Sequence, residues 1–278
     1  MMRTIETLRP RQNSAVGGRT RALFLSDVHL ATRACQADAL LEFLRCHDAE
    51  TIYLVGDIVD FWGVRRGAIW PRSHNDIVQA LLDKMHNGTR VVLIPGNHDE
   101  GLRDFCGFYL SGVEIVRDCI HETAAGHRML VTHGDEFDGV VQHVRWLAYL
   151  GGWGEGLARC LNSPLSWARR KLGFGPWSLS GYIKFKVKAA VNFVDAFEET
   201  LIAEARRRGV DGVICGHVHQ PAHHEIDNLE YLNCGDWVES CTAIAEDWAG
   251  RLYQIDWLAT SRGCKPAPAP AHPMQEAA

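Results

Sequence analysis

Five short blocks of this sequence carry side chains able to hold metal ions and move protons: Ser26-Asp27-Val28-His29, Gly56-Asp57-Ile58-Val59-Asp60, Gly96-Asn97-His98-Asp99, Thr132-His133-Gly134-Asp135 and Gly216-His217-Val218-His219. Together they offer Asp27, His29, Asp57, Asn97, His133, His217 and His219 as ligands, with His98 in addition. A single structural zinc takes only four donors, usually with thiolates among them. This set suits two divalent cations, and imidazole mixed with carboxylate favours manganese, iron or zinc over calcium. Two such ions roughly 3.5–4 Å apart clamp an in-line attack on phosphorus and acidify the attacking water. Asp57 is placed to bridge them, because a carboxylate can offer one oxygen to each ion. Taken singly, each block has an ordinary reading: Asp-Val-His as a loop, Gly-Asn-His-Asp as a turn, His217 and His219 as neighbours on one side of an extended segment. Their joint occurrence is what points to a site. His47, His86, His121 and His127 read instead as surface or satisfied core histidines.

Each block follows an apolar run that reads as a buried strand: Arg21 to Ser26, Thr51 to Val55, Arg90 to Ile94, Met129 to Thr132 and Gly212 to Cys215. Between the first three lie two predicted helices. Ala34 to His47 has Ala37, Leu40, Leu41 and Leu44 at helical spacing, and Asp76 to His86 stops near Asn87-Gly88. Strands alternating with helices predict a parallel sheet with crossover connections. Ligands bind such sheets beyond the carboxyl ends of the strands, which is where all five blocks fall. Ala222–Ile226, Glu230–Asn233, Thr242–Ala245 and Leu252–Ile255 predict short antiparallel strands. Asn192–Arg208 predicts an amphipathic helix with Phe193, Phe197, Leu201 and Ala205 on one face. Two packed sheets flanked by helices accommodate this order.

The composition, 46% hydrophobic and 23% charged over 278 residues, is that of a globular α/β protein rather than a disordered or multi-span membrane chain. No run approaches the ~18 apolar residues of a spanning helix, and Met1 to Thr20 lacks the apolar core of a secretory signal. Nine cysteines without paired spacing argue against a disulfide framework and suit a reducing cytosol. Residues 1–20 and the Pro/Ala-rich 259–278 read as flexible ends around a domain of 21–258. Charge is uneven within it. Residues 139–192 carry eight Lys or Arg against Glu155 alone, and four of the nine tryptophans, so this segment holds +7 of a chain whose net charge is −5. A basic, Trp-rich insertion in an acidic protein suggests an anionic partner with an apolar part, the plain alternative being a solvated helical hairpin packed on the body. The acidic remainder opposes a nucleic-acid polymer as partner.

The ordered blocks, read as DxH, GD, GNH, a later His and GHxH, resemble the calcineurin-like metallophosphoesterases over about residues 22–257. The resemblance implies a four-layer α/β/β/α sandwich with a dinuclear centre and a helical cap insertion at 139–192. It assigns Asp27, His29 and His219 to one metal, Asn97, His133 and His217 to the other, and Asp57 to both. His98 would meet the scissile phosphate, with Asp60 and Asp99 orienting their neighbours. Leu25 to Leu30, Val55-Gly56-Asp57 through Phe61-Trp62, His133-Gly134-Asp135 and the insertion most closely resemble the UDP-2,3-diacylglucosamine diphosphatases of the lipid A pathway. That implies cleavage of a UDP-linked acylated glucosamine at the α-phosphorus, on the cytoplasmic face of the inner membrane, by an enzyme held peripherally to an anionic surface. Arg170, Lys184, Lys188 and Asp138 are the candidate substrate contacts. One position departs from the best-known branch, which has Arg where this chain has His98. Other phosphoesterases of the superfamily carry His there, so a phosphodiesterase, a protein phosphatase or a dinucleoside polyphosphate hydrolase is the alternative. A catalytically silent scaffold would be expected to have lost ligands.

Overall fold

The computed structural model describes residues 18–64, 67, 69–140 and 179–260, with backbone alone at 138–140 and 179–192. The chain divides into two compact units, Met1–Asp135 with Ala205–Ala278, and Glu136–Glu204.

In the first unit, β1 (Gly18–Leu25) turns Leu23 and Leu25 to one face and Ala22 and Phe24 to the other, all inaccessible to solvent. That is the two-residue period of a strand buried on both sides. α1 (Ala37–Cys46) leads into β2 (His47–Val55), and the short α2 (Phe61–Val64) and α3 (Arg72–His86) lead into β3 (Arg90–Ile94). β1, β2 and β3 are parallel neighbours. Three short strands follow: β4 (Tyr109–Leu110), β5 (Val113–Ile115) and β6 (Cys119–Glu122). Then come β7 (Arg128–Val131), α4 (Leu179–Arg208), β8 (Gly212–Cys215), β9 (Ala222–Ile226), β10 (Leu229–Asn233), β11 (Thr242–Glu246), β12 (Leu252–Asp256) and α5 (Trp257–Thr260). One sheet has the order β12-β11-β1-β2-β3-β5-β4, the other β6-β7-β8-β10-β9.

Two apolar clusters explain the layering. Leu23, Leu25 and Ile52 pack with Leu40 and Phe43 of α1 and Ile77 of α3. Phe24, Tyr53 and Ile94, from the opposite face of the same sheet, pack with Met129, Val131 and Ile214 of the second sheet. Leu130 and Val213 point the other way from that second cluster and are equally buried. The last turn of α4 is tied to the loop ahead of β6 by a two-pronged Arg208–Asp118 pair at 2.7 and 2.9 Å. In the second unit, Phe197, Leu201 and Ile202 form the buried side of α4, and Phe193 stacks on Phe197.

Several expectations are corrected. The helix predicted over Ala34–His47 runs only from Ala37 to Cys46, and His47 opens β2. There His47 donates its backbone N–H to Phe43 C=O, its ring lies on Phe43, and the chain passes from helix to strand without a loop. Gly18–Thr20, expected in the flexible N-terminal segment, pair with His47–Ala49 as part of β1. Ala259 and Thr260, expected in the tail, close α5. β10 is antiparallel to β9 as expected, across an Asp227-Asn228 turn with φ of 52° and 64° that suits a tight hairpin. On its other side, however, β10 is parallel to β8. Cys46 is disulfide-bonded, whereas Cys35, Cys119, Cys234 and Cys241 are free thiols.

Candidate metal centre

Asp27, His29, Asp57, His217 and His219 all take left-handed backbone, with φ of 52°, 52°, 53°, 72° and 55°. Each such residue costs on the order of 1–2 kcal/mol, and strain of this kind gathers at functional sites. Here it is held by a continuation of the β1–β2 ladder. Asp27 N donates to Gly56 O at 3.0 Å and His29 N to Asp57 O at 2.9 Å, so the two loops leave the sheet side by side. Asp99 fastens the third loop to them, its carboxylate accepting the N–H groups of Gly96 at 2.6 Å and Ile58 at 2.8 Å.

The side chains form two facing sets. In the first, His219 Nε2 lies 3.0 Å from Asp27 Oδ1 and 3.3 Å from His29 Nε2, with His29 Nε2 3.8 Å from the same oxygen. In the second, His133 Nε2 lies 3.5 Å from Asp57 Oδ1, and the His133 and His217 rings meet edge to face at 5.1 Å. Asp57 touches both sets, with Oδ1 beside His133 and Oδ2 3.9 Å from His29 Nε2, and the same Oδ2 lies 3.9 Å from His98 Nε2. His98 is backed by Asp60, whose Oδ1 is 3.2 Å from Nδ1, and by the ring of Trp62 at 4.2 Å.

Metal ions fit these residues. Asp27 Oδ1, Asp57 Oδ2, Asn97 Oδ1 and His133 Nε2 are buried without a hydrogen-bond partner, an arrangement that costs free energy unless something else binds there. The opposite side of each group is satisfied. Asp27 Oδ2 accepts Ser26 Oγ–H at 2.5 Å and His217 N–H at 2.8 Å, and His133 Nδ1 lies 2.9 Å from Val55 O. A ring that donates Nδ1–H to a carbonyl presents a bare Nε2, as a metal-bound histidine does. Electrostatics agree. Burial works against charge on His133 and His219, yet Asp57 and Asp27 respectively raise their pKa values to about 10. Burial likewise pushes the Asp27 carboxyl up, but His219, His29 and His133 outweigh it and hold it well below the usual range. The carboxylates thus demand positive charge, which protons supply when cations do not.

The glycines of the blocks have a steric reason. A Cβ at Gly216 would overlap Ser26 Oγ and lie 2.6 Å from Asp27 Oδ2, and one at Gly96 would overlap Asp57 Oδ1 and lie 2.6 Å from His133 Nε2. Gly216→Ala is therefore expected to displace Asp27 and weaken cation binding about tenfold or more, read by titrating the metal-free protein. A folded variant with unchanged affinity would contradict this account.

All seven candidate ligands and His98 lie at the ends of β1, β2, β3, β7 and β8. Arg170 lies outside the described residues, and the side chains of Asp138, Lys184 and Lys188 do as well. Sequence reasoning passed over Ser26 as a partner of Asp27, Trp62 as the ring against His98, and Asp236 beside His219. Arg103 was also missed; it grips Asp135 with two bonds of 2.7 Å and so steadies the loop of His133.

The sequence profile described as calcineurin-like phosphoesterase matches residues 20–221, which takes in every block. Among curated proteins, the UDP-2,3-diacylglucosamine hydrolase of Pseudomonas aeruginosa is 30% identical over 243 residues, covering 82% of this chain and 95% of its own. The Azotobacter vinelandii protein of the same name is 30% identical over 244 residues, covering 82% and 95%. The one from Edwardsiella ictaluri is 28% identical over 276 residues, covering 91% and 94%. With the metal-binding geometry at the strand ends, these matches identify the chain as a metal-dependent phosphoesterase that belongs to the calcineurin-like phosphoesterase family.

Proposed function

We propose that this enzyme hydrolyses the pyrophosphate of UDP-2,3-diacylglucosamine at the α-phosphorus, releasing UMP and 2,3-diacylglucosamine 1-phosphate. The observation that carries the substrate is the similarity, along most of both chains, to relatives named for that reaction. The +7 charge and four tryptophans of residues 139–192 support it, because Lys and Arg suit a pyrophosphate while Trp suits acyl chains or a membrane interface. Peripheral attachment to the anionic cytoplasmic face of the inner membrane belongs to the same proposal. Among the described residues no helix is long and apolar enough to cross a membrane.

In this reading Asp27, His29 and His219 hold one divalent cation, manganese by preference. Asn97, His133 and His217 would hold the second, with Asp57 shared between the two. When bound, the cations polarise the phosphoryl oxygens and lower the pKa of the attacking water. His98 does the complementary work. Asp60 and Trp62 flank its ring, and Nε2 would face the phosphate to balance developing charge and hand a proton to the departing oxygen. Arg170, Lys184, Lys188 and Asp138 remain the proposed contacts from the 139–192 segment and its approach.

The test is direct. With manganese, purified full-length enzyme is expected to release UMP from UDP-2,3-diacylglucosamine. If that substrate stays intact while a simple phosphodiester is cleaved, the lipid assignment fails and the phosphoesterase assignment stands.

A further inference from the structure

Asp236 lies in the loop after β10 and is 1% exposed. Its Oδ1 accepts the backbone N–H groups of Val238, Glu239 and Ser240 at 2.8, 2.5 and 3.0 Å. With that oxygen committed, the carboxylate cannot rotate, and Oδ2 is held 3.5 Å from His219 Nδ1. His219 needs such support. Its side chain is 33% exposed, against 9% for His29 and 1% for His133, and its backbone is left-handed. The next residue of the same loop, Trp237, donates its N–H to Asp27 C=O at 3.0 Å. One loop therefore backs two members of the Asp27–His29–His219 set.

We propose that Asp236 is a positioning residue of the metal centre, one that fixes both the ring orientation and the tautomer of His219. With Oδ2 as acceptor, Nδ1 keeps its proton and Nε2 presents its lone pair towards Asp27 and His29, the carboxylate–histidine–metal relation that raises ligand basicity. The inference rests on the reading that this set holds a cation.

Asp236→Asn separates this role from loop capping. The amide oxygen must stay on the three backbone donors, because an amide nitrogen cannot accept them. The NH2 group then turns towards His219 and, as a donor, favours the opposite tautomer, whose proton sits on Nε2 where the cation needs a lone pair. The fold keeps its three loop bonds and the metal set loses a ligand.

Calorimetric titration of the metal-free full chain with Mn2+ reads the difference. Wild type is expected to take up two ions. Asp236→Asn, with an unchanged circular dichroism spectrum, is expected to keep one and bind the other about 10–100-fold more weakly. If the folded variant binds both as tightly as wild type, Asp236 is only a loop cap and the proposal is overturned. If wild type itself takes up no Mn2+, the metal-holding reading falls too, a result plainly different from the first. A measurement on wild type alone guards against a variant that fails to fold. Nitrogen-15 NMR of the Zn2+-loaded protein is expected to show His219 protonated at Nδ1, and a proton at Nε2 overturns the proposal.

Discussion

Replacing Asp57 with alanine is expected to eliminate turnover while leaving the chain folded. Asp57 is fully buried and lies within 4 Å of imidazoles from both donor sets, with His133 on its Oδ1 side and His29 on its Oδ2 side. Its Oδ1 also accepts the backbone N–H of His98 at 2.8 Å, so the same group positions the His98 loop. Loss of an outer-shell partner typically costs about 10–100-fold in metal affinity or activity. Loss of a shared ligand removes more, on the order of a thousandfold or beyond in rate, because it loosens both cations and the His98 loop together. Stability should move little in the opposite sense. Asp57 lies close enough to the buried Asp99 that it adds to the burial that raises the Asp99 pKa, so its removal relieves like-charge repulsion while opening a small cavity. Elemental analysis and turnover of a chromogenic phosphodiester read the two effects. A folded variant retaining both cations and more than a tenth of the rate would remove Asp57 from the mechanism.

The parts of this site legible in the sequence are those in which local pattern and chemistry coincide. Phe24 to His29 shows an apolar run breaking into Asp-Val-His, and such breaks gather because β1, β2 and β3 are parallel in one sheet and β7 and β8 are parallel in the other, so that each set ends on one side of its sheet. The glycines were legible as close-approach positions, although which side chains they admit, Ser26 at Gly216 and His133 at Gly96, is a tertiary fact. Asp236 was not legible. Gly-Asp-Trp looks like any turn, and its link to His219 depends on a loop crossing between distant segments. The first half of β2 was missed for a different reason: His47-Asp48-Ala49-Glu50 is polar and continues a helix without a break, and only pairing with Gly18–Thr20 makes it a strand. β4 and β5, two and three residues long with Tyr109 and Leu110 exposed, leave no periodicity to read. α4 is recognisable only from Asn192 onward, where Phe193, Phe197, Leu201 and Ala205 mark a stripe, yet it starts at Leu179 in a stretch whose Lys residues interrupt the pattern.

Glu246→Gln is expected to cost stability without touching the metal centre, and to do so in a pH-dependent way. The side chain of Glu246, on β11, is 0% exposed and draws together both sheets. Arg21 of β1 reaches its two oxygens at 2.7 and 2.8 Å, Ala124 donates its backbone N–H at 2.7 Å, and His121 of β6 lies 2.8 Å away through Nε2. The tautomer follows from the Glu246 carboxylate, which can only accept, while the Tyr53 phenol, pushed up to about 12 mainly by burial, stays protonated with its OH 3.1 Å from His121 Nδ1. Nδ1 accepts from Tyr53, and Nε2–H donates to Glu246. Burial alone would raise the Glu246 pKa, but the bonds from His121, Ala124 and Arg21 outweigh it and hold it below 4.5. A carboxylate depressed in the folded state adds stability that is complete above its unfolded pKa and is lost as pH falls through the folded value. Near neutral pH the amide therefore leaves Arg21 and His121 poorly matched and costs about 2–4 kcal/mol, less than a fully buried pair would because Arg21 is 29% exposed. Urea unfolding of both proteins across pH should show that gap narrowing as pH drops below about 4.5. A gap independent of pH would mean that shape and packing, rather than the charge of Glu246, hold the two sheets at this point.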